Sequence, residues 1–152
     1  MNEAEKSDHD GPSLRQQAIR LLARREHTRA ELAGKLAGLG TPEEIQTVLA
    51  DLEQIGLLSD ARAASAYVRG HAGRFGAARL RQTLRTKGVP AEMIEEQVAE
   101  LPDEIVRARE VWERKFGTAP RDAREWAKQA RFLQSRGFAT EVIRRLLKES
   151  TA

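Results

Sequence analysis

The sequence contains no cysteine, so it can form no disulfide, no thiolate metal site and no cysteine nucleophile. Aromatic residues make up only 5% of the chain, and the core must therefore be built from Leu, Ala, Ile and Val. No apolar run approaches the roughly 20 residues that cross a bilayer, and the first residues lack the apolar stretch of a secretory signal. We therefore expect a cytoplasmic protein with no membrane partner.

The residues that are abundant favour helices. Ala, Leu, Arg and Glu dominate the 152 residues, and cap and turn residues divide them into nine segments with helical apolar spacing. Ser13, Thr28 and Thr41 are typical N-caps, and Glu31 completes a capping box with Thr28. The pattern predicts an all-α protein preceded by a disordered tail at residues 1–12. It also predicts that Leu39 and Ile55 lie on buried helix faces.

The nine segments repeat in groups of three. A Leu followed four residues later by Gly recurs at intervals of 48 and 49 residues, as Leu36–Gly40, Leu84–Gly88 and Leu133–Gly137, with Gly40 expected to end the second helix. Helical units that recur every ~45 residues are typical of tandem arrays, in which each unit stabilises its neighbours. We predict three three-helix repeats, at residues 13–57, 58–101 and 102–150, that form an elongated, curved array.

Charge is segregated along this repeat. Residues 62–90 carry seven Lys or Arg and no acid, whereas residues 41–60 carry five acids and residues 91–104 six, with no base in either stretch. The whole chain has a net charge of only +3, so the distribution is more informative than the total. Because residues 62–90 contain no acid, we expect no neutralising i, i+4 ion pair within them.

Two interpretations of this basic segment remain open. The spacing of Arg74, Arg81 and Arg85 places them on one side of a helix, provided that the helix begins before Arg74. Such a face would bind a polyanion or an acidic protein. Alternatively, the aliphatic stems of the arginines cover apolar surface.

Signals for catalysis or metal binding are weak. His9, His27 and His71 are scattered, and none has the spacing of a metal ligand pair. The glycines at 70, 73 and 76 follow a helix and lack the strand and the Lys-Ser/Thr of a phosphate-binding loop, so they indicate an inter-helix linker. We expect no catalytic residue, no metal, no cofactor and no enzymatic activity.

A helix-turn-helix module in the first ~46 residues is a further alternative for sequence-specific DNA binding. Its recognition helix would be residues 43–55, which carry four acids and no base and would therefore repel phosphate. We discount this reading.

Three segments resemble the RecX regulatory proteins of bacteria. They are AIRLLARREHTRAEL at residues 18–32, GLLSD at 56–60 followed by Tyr67-Val-Arg69, and RFGAARLRQTLRTKGV at 74–89. The resemblance covers residues ~13–150. One departure lies near Ala64, where the family has Asp-x-x-Phe-Ala after the position of Asp60, and it predicts a smaller apolar anchor in the second repeat.

The resemblance implies three tandem three-helix repeats and a non-enzymatic regulator of the RecA recombinase in DNA repair, recombination and the SOS response. Such proteins bind the RecA–DNA filament and mainly inhibit ATP hydrolysis, strand exchange and co-protease activity. We expect a monomer whose partner is the RecA filament, with weaker or indirect contacts to single- or double-stranded DNA. A helical protein that binds DNA independently of RecA is the alternative. The candidate binding residues are all basic: Arg24, Arg25, Arg69, Arg74, Arg79, Arg81, Arg85, Lys87, Arg124, Lys128 and Arg131.

Overall fold

The structure of the protein is a computed structural model that describes residues 11–151, and these residues contain helices but no strand. Most of the expected disordered tail, residues 1–12, lies outside the described residues. The described chain forms nine helices, which confirms the predicted all-α fold. They are α1 (Leu14–Arg24), α2 (Arg29–Leu36), α3 (Pro42–Gln54), α4 (Asp60–His71), α5 (Ala77–Thr86), α6 (Ala91–Ala99), α7 (Glu104–Lys115), α8 (Ala123–Ser135) and α9 (Thr140–Thr151).

Local capping explains where the first three helices begin. The side chains of Ser13, Thr28 and Thr41 each accept a hydrogen bond from the backbone N–H three residues later, and in each case the side chain at that later position bonds back to the cap. These reciprocal bonds satisfy N–H groups that have no partner inside the helix. At the third cap, hydrogen bonds from the Thr41 backbone and side chain lower the pKa of Glu44.

The described chain divides into two compact units, residues 11–63 and 64–151, and the division falls within α4. The three repeat boundaries inferred from the sequence stay a prediction. In the first unit, fully buried leucines of α2 and α3 pack against Ala18 of α1. This core is aliphatic, as the scarcity of aromatic residues requires.

Two expectations for the first unit are wrong. Leu39 and Ile55, which were expected on buried faces, are 53% and 51% exposed. Helix α2 ends at Leu36, and the left-handed turn that follows it is at Gly38 (φ 83°), not at Gly40, so Leu39 has left the helical stripe. Ile55 is the C-cap of α3, one position beyond the last residue of the helix, Gln54.

His27 lies in the core of the first unit, only 1% exposed. Its Nδ1 lies 3.0 Å from the carbonyl oxygen of Arg25 and donates to it, whereas Nε2 is buried and has no hydrogen-bond partner among the described residues. Burial lowers the pKa of His27, since a second ring proton would bring a charge into an apolar site.

We expect the first unit to lose stability as the pH falls below about 6.5, the pKa of histidine in an unfolded chain. Below that pH the unfolded state binds a proton on His27 that the folded state does not. The free energy of unfolding therefore falls by at most about 1.4 kcal/mol per pH unit, until the ring is protonated in the folded state as well. Amide hydrogen exchange in α1–α3 at pH 7.5 and 5.5, compared with His27→Gln, measures this. Equal pH dependence in the two proteins would contradict it.

The second unit contains two apolar clusters. Ala64, Val68, Leu84, Val89 and Ile94 form one cluster, and the other is formed by α7, α8 and α9 around Leu133 and Leu147. Ala63 and Ala64 are both buried, so the position near Ala64 is filled by small side chains.

The backbone entering α5 passes directly against the backbone that follows α8. The N–H of Gly76 donates to the carbonyl of Arg136 at 2.7 Å, and a Cβ placed on Gly76 would collide with the carbonyl of Gly137. One carboxylate completes the junction, because Glu104 accepts from Ala77 N at 2.7 Å and from Ala139 N at 3.1 Å. Glu104, the first residue of α7, thus caps the starts of both α5 and α9.

Candidate functional site

The loop between α4 and α5, residues 72–76, carries Arg74 and Phe75 and is held by two arginines of α7. Arg107 is only 5% exposed and donates to the carbonyls of Phe75 at 2.6 Å and Ala72 at 3.3 Å. Arg114 donates to the carbonyl of Gly73. Burial lowers the pKa of the Arg107 guanidinium, and its hydrogen bonds offset the loss of water. The position of Arg74 is therefore set by α7.

Phe75 lies at the centre of a group of rings and cations. Its ring stacks on His71 at 6.0 Å between centroids, and His71 stacks on Tyr67 at 4.1 Å. The guanidinium carbons of Arg79, Arg74 and Arg136 lie 4.0, 5.4 and 5.7 Å from the Phe75 centroid. These distances are those of cation–π contacts, which keep the charged groups ordered at the surface.

Beside this group is a pocket of about 210 Å³ that we call the basic cup. It is lined by Arg74, Arg114, Lys115, Arg136, Phe132 and Val111. Lys115 Nζ and Arg136 Cζ lie 5.3 and 5.0 Å from the centroid of Phe132. None of the four cations forms an ion pair with the carboxylate of a described residue. The basic cup thus concentrates positive charge that the described protein leaves uncompensated.

The structure brings together only some of the predicted binding residues. Arg74 and Arg79 meet at Phe75, and Lys87 lies 5.5 Å from the ring of Tyr67. The other predicted residues of the second unit line neither Phe75 nor the basic cup; they are Arg69 on α4, Arg81 and Arg85 on α5, and Arg124, Lys128 and Arg131 on α8. Arg24 and Arg25 lie at the end of α1 in the first unit, both exposed.

The condition that would place Arg74, Arg81 and Arg85 on one side of a helix is not met. Helix α5 begins at Ala77, so Arg74 belongs to the preceding loop and does not share a helical face with Arg81 and Arg85. The segment does find acids to pair with, although they lie outside it. Arg81 bonds to Glu95 at 2.8 Å, and Arg62 bonds to Glu26 at 3.2 Å. Both pairs are solvent-exposed, and such pairs contribute little stability.

Sequence reasoning missed three members of the basic cup: Arg114, Lys115 and Arg136. Arg114 and Lys115 are in the last turn of α7, and Arg136 is the C-cap of α8. Basic residues at helix C-termini are ordinarily explained by the helix dipole, so no sequence signal groups them with Arg74. Only the fold of the second unit shows that these helix ends converge.

Groups that would indicate other chemistry are absent from the part of the chain that the structure describes. Residues 11–151 hold no group of three His, Asp or Glu side chains that could bind a metal ion. Within the same range, no helix is both long and apolar enough to cross a membrane.

The fold and the basic cup define a helical-repeat protein with a concentrated basic surface. Family models described as the first, second and third three-helix domains of RecX match residues 15–52, 59–96 and 103–147 in tandem. The chain belongs to the RecX family of regulatory proteins.

Relatives and solved structures agree with this assignment. The regulatory protein RecX of Leptothrix cholodnii is 51% identical over 138 residues, which are 90% of this chain and 88% of that protein. The regulatory protein RecX of Chromobacterium violaceum is 41% identical over 139 residues, 91% of each chain. The crystal structure of RecX from Lactobacillus salivarius has the same fold, with a TM-score of 0.76 at 20% identity over 91% of this chain and 94% of that one.

Proposed function

We propose that this protein binds the RecA–DNA filament and inhibits RecA, reducing its ATP hydrolysis, strand exchange and co-protease activity. Membership of the RecX family supports a regulatory role. The observation that carries the proposal is the set of unpaired cations around Phe75 and the basic cup, since a filament of protein and DNA offers dense negative charge.

Inhibition follows from binding across neighbouring filament subunits. The two compact units of this chain are linked, so the second contact forms at high effective concentration once the first is made. A protein held in this way restrains the movement between subunits that ATP turnover needs, or blocks growth at a filament end. No active site is required, because the binding free energy is used to favour one filament state.

The test compares two triple variants that remove equal charge. Arg74→Gln, Arg79→Gln and Lys115→Gln change exposed basic residues at Phe75 and the basic cup that form no ion pair among the described residues. Lys35→Gln, Arg144→Gln and Lys148→Gln, also exposed, are the matched control. In an assay of RecA ATPase on single-stranded DNA, we expect the first triple to raise the half-inhibitory concentration by about tenfold or more. The control triple should change it little.

Unchanged inhibition by the first triple at moderate salt would rule out the basic surface as the binding face. Fluorescence anisotropy with labelled single-stranded DNA, without RecA, addresses the alternative of RecA-independent DNA binding. Tight binding with a steep salt dependence in that assay would favour a protein that acts on DNA alone.

A further inference from the structure

We propose that the basic cup is a phosphate-binding site that takes a terminal phosphate group carrying two negative charges. The inference rests on the proposed function, since it assigns a ligand to part of the same surface. Its lining residues come from three parts of the second unit: Arg74 from the loop before α5, Arg114 and Lys115 from the end of α7, and Arg136 from the C-cap of α8.

The charge of the cup favours a compact anion. Three guanidinium groups and one ammonium group line the same pocket, and no carboxylate of a described residue pairs with any of them. A terminal phosphate carries about −1.5 to −2 charges at pH 7 on three acceptor oxygens, whereas a backbone diester or a carboxylate carries one. Of these three groups, the terminal phosphate alone places about two charges within one pocket.

The size and the donors of the cup fit the same ligand. A pocket of about 210 Å³ has room for a phosphate group and part of its ester. Guanidinium forks match phosphate oxygens in a bidentate manner, and the ammonium adds a point charge. The loop carrying Arg74 is already fixed by hydrogen bonds from Arg107 and Arg114, so little conformational entropy is lost when a ligand binds.

The site is distinct in kind from a surface that follows a nucleic-acid backbone. A surface that follows a nucleic-acid backbone uses a groove or a row of basic side chains, whereas here four cations line one pocket together with Phe132 and Val111. Lys115 and Arg136 both lie over the ring of Phe132, where they compete with a nucleobase for stacking on it. Recognition therefore falls on the phosphate and not on the base.

Calorimetric titration of the full chain with ADP at low salt tests the site, with adenosine as the uncharged control. The double variant Arg74→Gln/Lys115→Gln removes two cup cations, and Arg144→Gln/Lys148→Gln removes two exposed charges of α9 that do not line the cup. We expect the cup variant to weaken ADP binding by about tenfold or more and the α9 variant to leave it within about twofold. Thermal unfolding checks that both variants fold.

Oligonucleotides with and without a 5′-phosphate identify the source of the phosphate. Tighter binding of the 5′-phosphorylated strand, lost in the cup variant, indicates a strand end, whereas binding of ADP alone indicates a free nucleotide. Equal binding of adenosine, no binding of ADP, or equal loss in both variants would overturn the site. So would equally tight binding of a six-residue glutamate peptide, because the cup would then fit an acidic protein.

The RecA ATPase assay separates this inference from the proposed function. Inhibition by the wild-type chain without any ADP binding would leave the regulatory function standing and refute the phosphate site. Phosphate binding at the cup by a chain that does not inhibit RecA would refute the regulatory function and leave the phosphate site standing.

Discussion

Gly76→Ala is expected to destabilise the second unit by about 2–4 kcal/mol. Gly76 has an ordinary φ of −76°, so the cost does not come from backbone strain. The added methyl would collide with the Gly137 carbonyl and lie 2.6 Å from Phe138 N, a backbone contact that no side-chain rotation relieves. Relief requires the two backbones to separate, which breaks the 2.7 Å hydrogen bond from Gly76 N to Arg136 O.

Urea unfolding followed by tryptophan fluorescence measures this loss, because both tryptophans, Trp112 and Trp126, lie in the second unit. Gly70→Ala is the matched control. Gly70 is within α4, has open space around its Cα and no positive φ, so alanine there should stabilise by about 0.5–1 kcal/mol. If the two variants unfold at the same urea concentration, the backbone crossing is not a tight contact.

The fold was predictable from the sequence where the signals are local. The caps at Ser13, Thr28 and Thr41 lie within three residues of their partners, so the sequence alone locates those helix starts. Leu39 and Ile55 continue the helical spacing of apolar residues beyond the ends of α2 and α3, at Leu36 and Gln54, so the spacing wrongly predicted them to be buried. The crossing of Gly76 and Gly137 joins positions far apart in the chain, and no local pattern encodes it.

The candidate site was predictable only in part for the same reason. The absence of acids in residues 62–90 drew attention to Arg74 and Arg79, and the structure places both beside the ring of Phe75. The partners of Arg74 come from the ends of α7 and α8, and a helix C-terminus is an ordinary place for a base. Arg74 lies in a loop and not on a helix, and hydrogen bonds from Arg107 and Arg114 hold that loop. Because these bonds come from α7, the sequence around Arg74 does not predict them.

Glu104→Ala is expected to destabilise the second unit by about 2–4 kcal/mol, because one carboxylate satisfies the N–H groups at the starts of two helices. Helix α5 begins after Gly76, which has no side chain to cap it, and Glu104 supplies the missing acceptor. The second oxygen accepts from Ala139 N before α9. Glu104→Gln keeps one acceptor oxygen and replaces the other with an NH₂ donor, so it should reduce the free energy of unfolding by about half as much.

Tryptophan fluorescence during urea unfolding again reports the effect, and Glu113→Ala is the control. Glu113 is an exposed acid on the same helix α7, and its side chain makes no hydrogen bond or ion pair within residues 11–151. Its replacement should change the free energy of unfolding by less than about 0.5 kcal/mol. Because Glu104 ties α7 to the starts of α5 and α9, its loss should also loosen the loop that carries Arg74. If Glu104→Ala unfolds at the same urea concentration as Glu113→Ala, water caps α5 and α9 as well as the Glu104 carboxylate does.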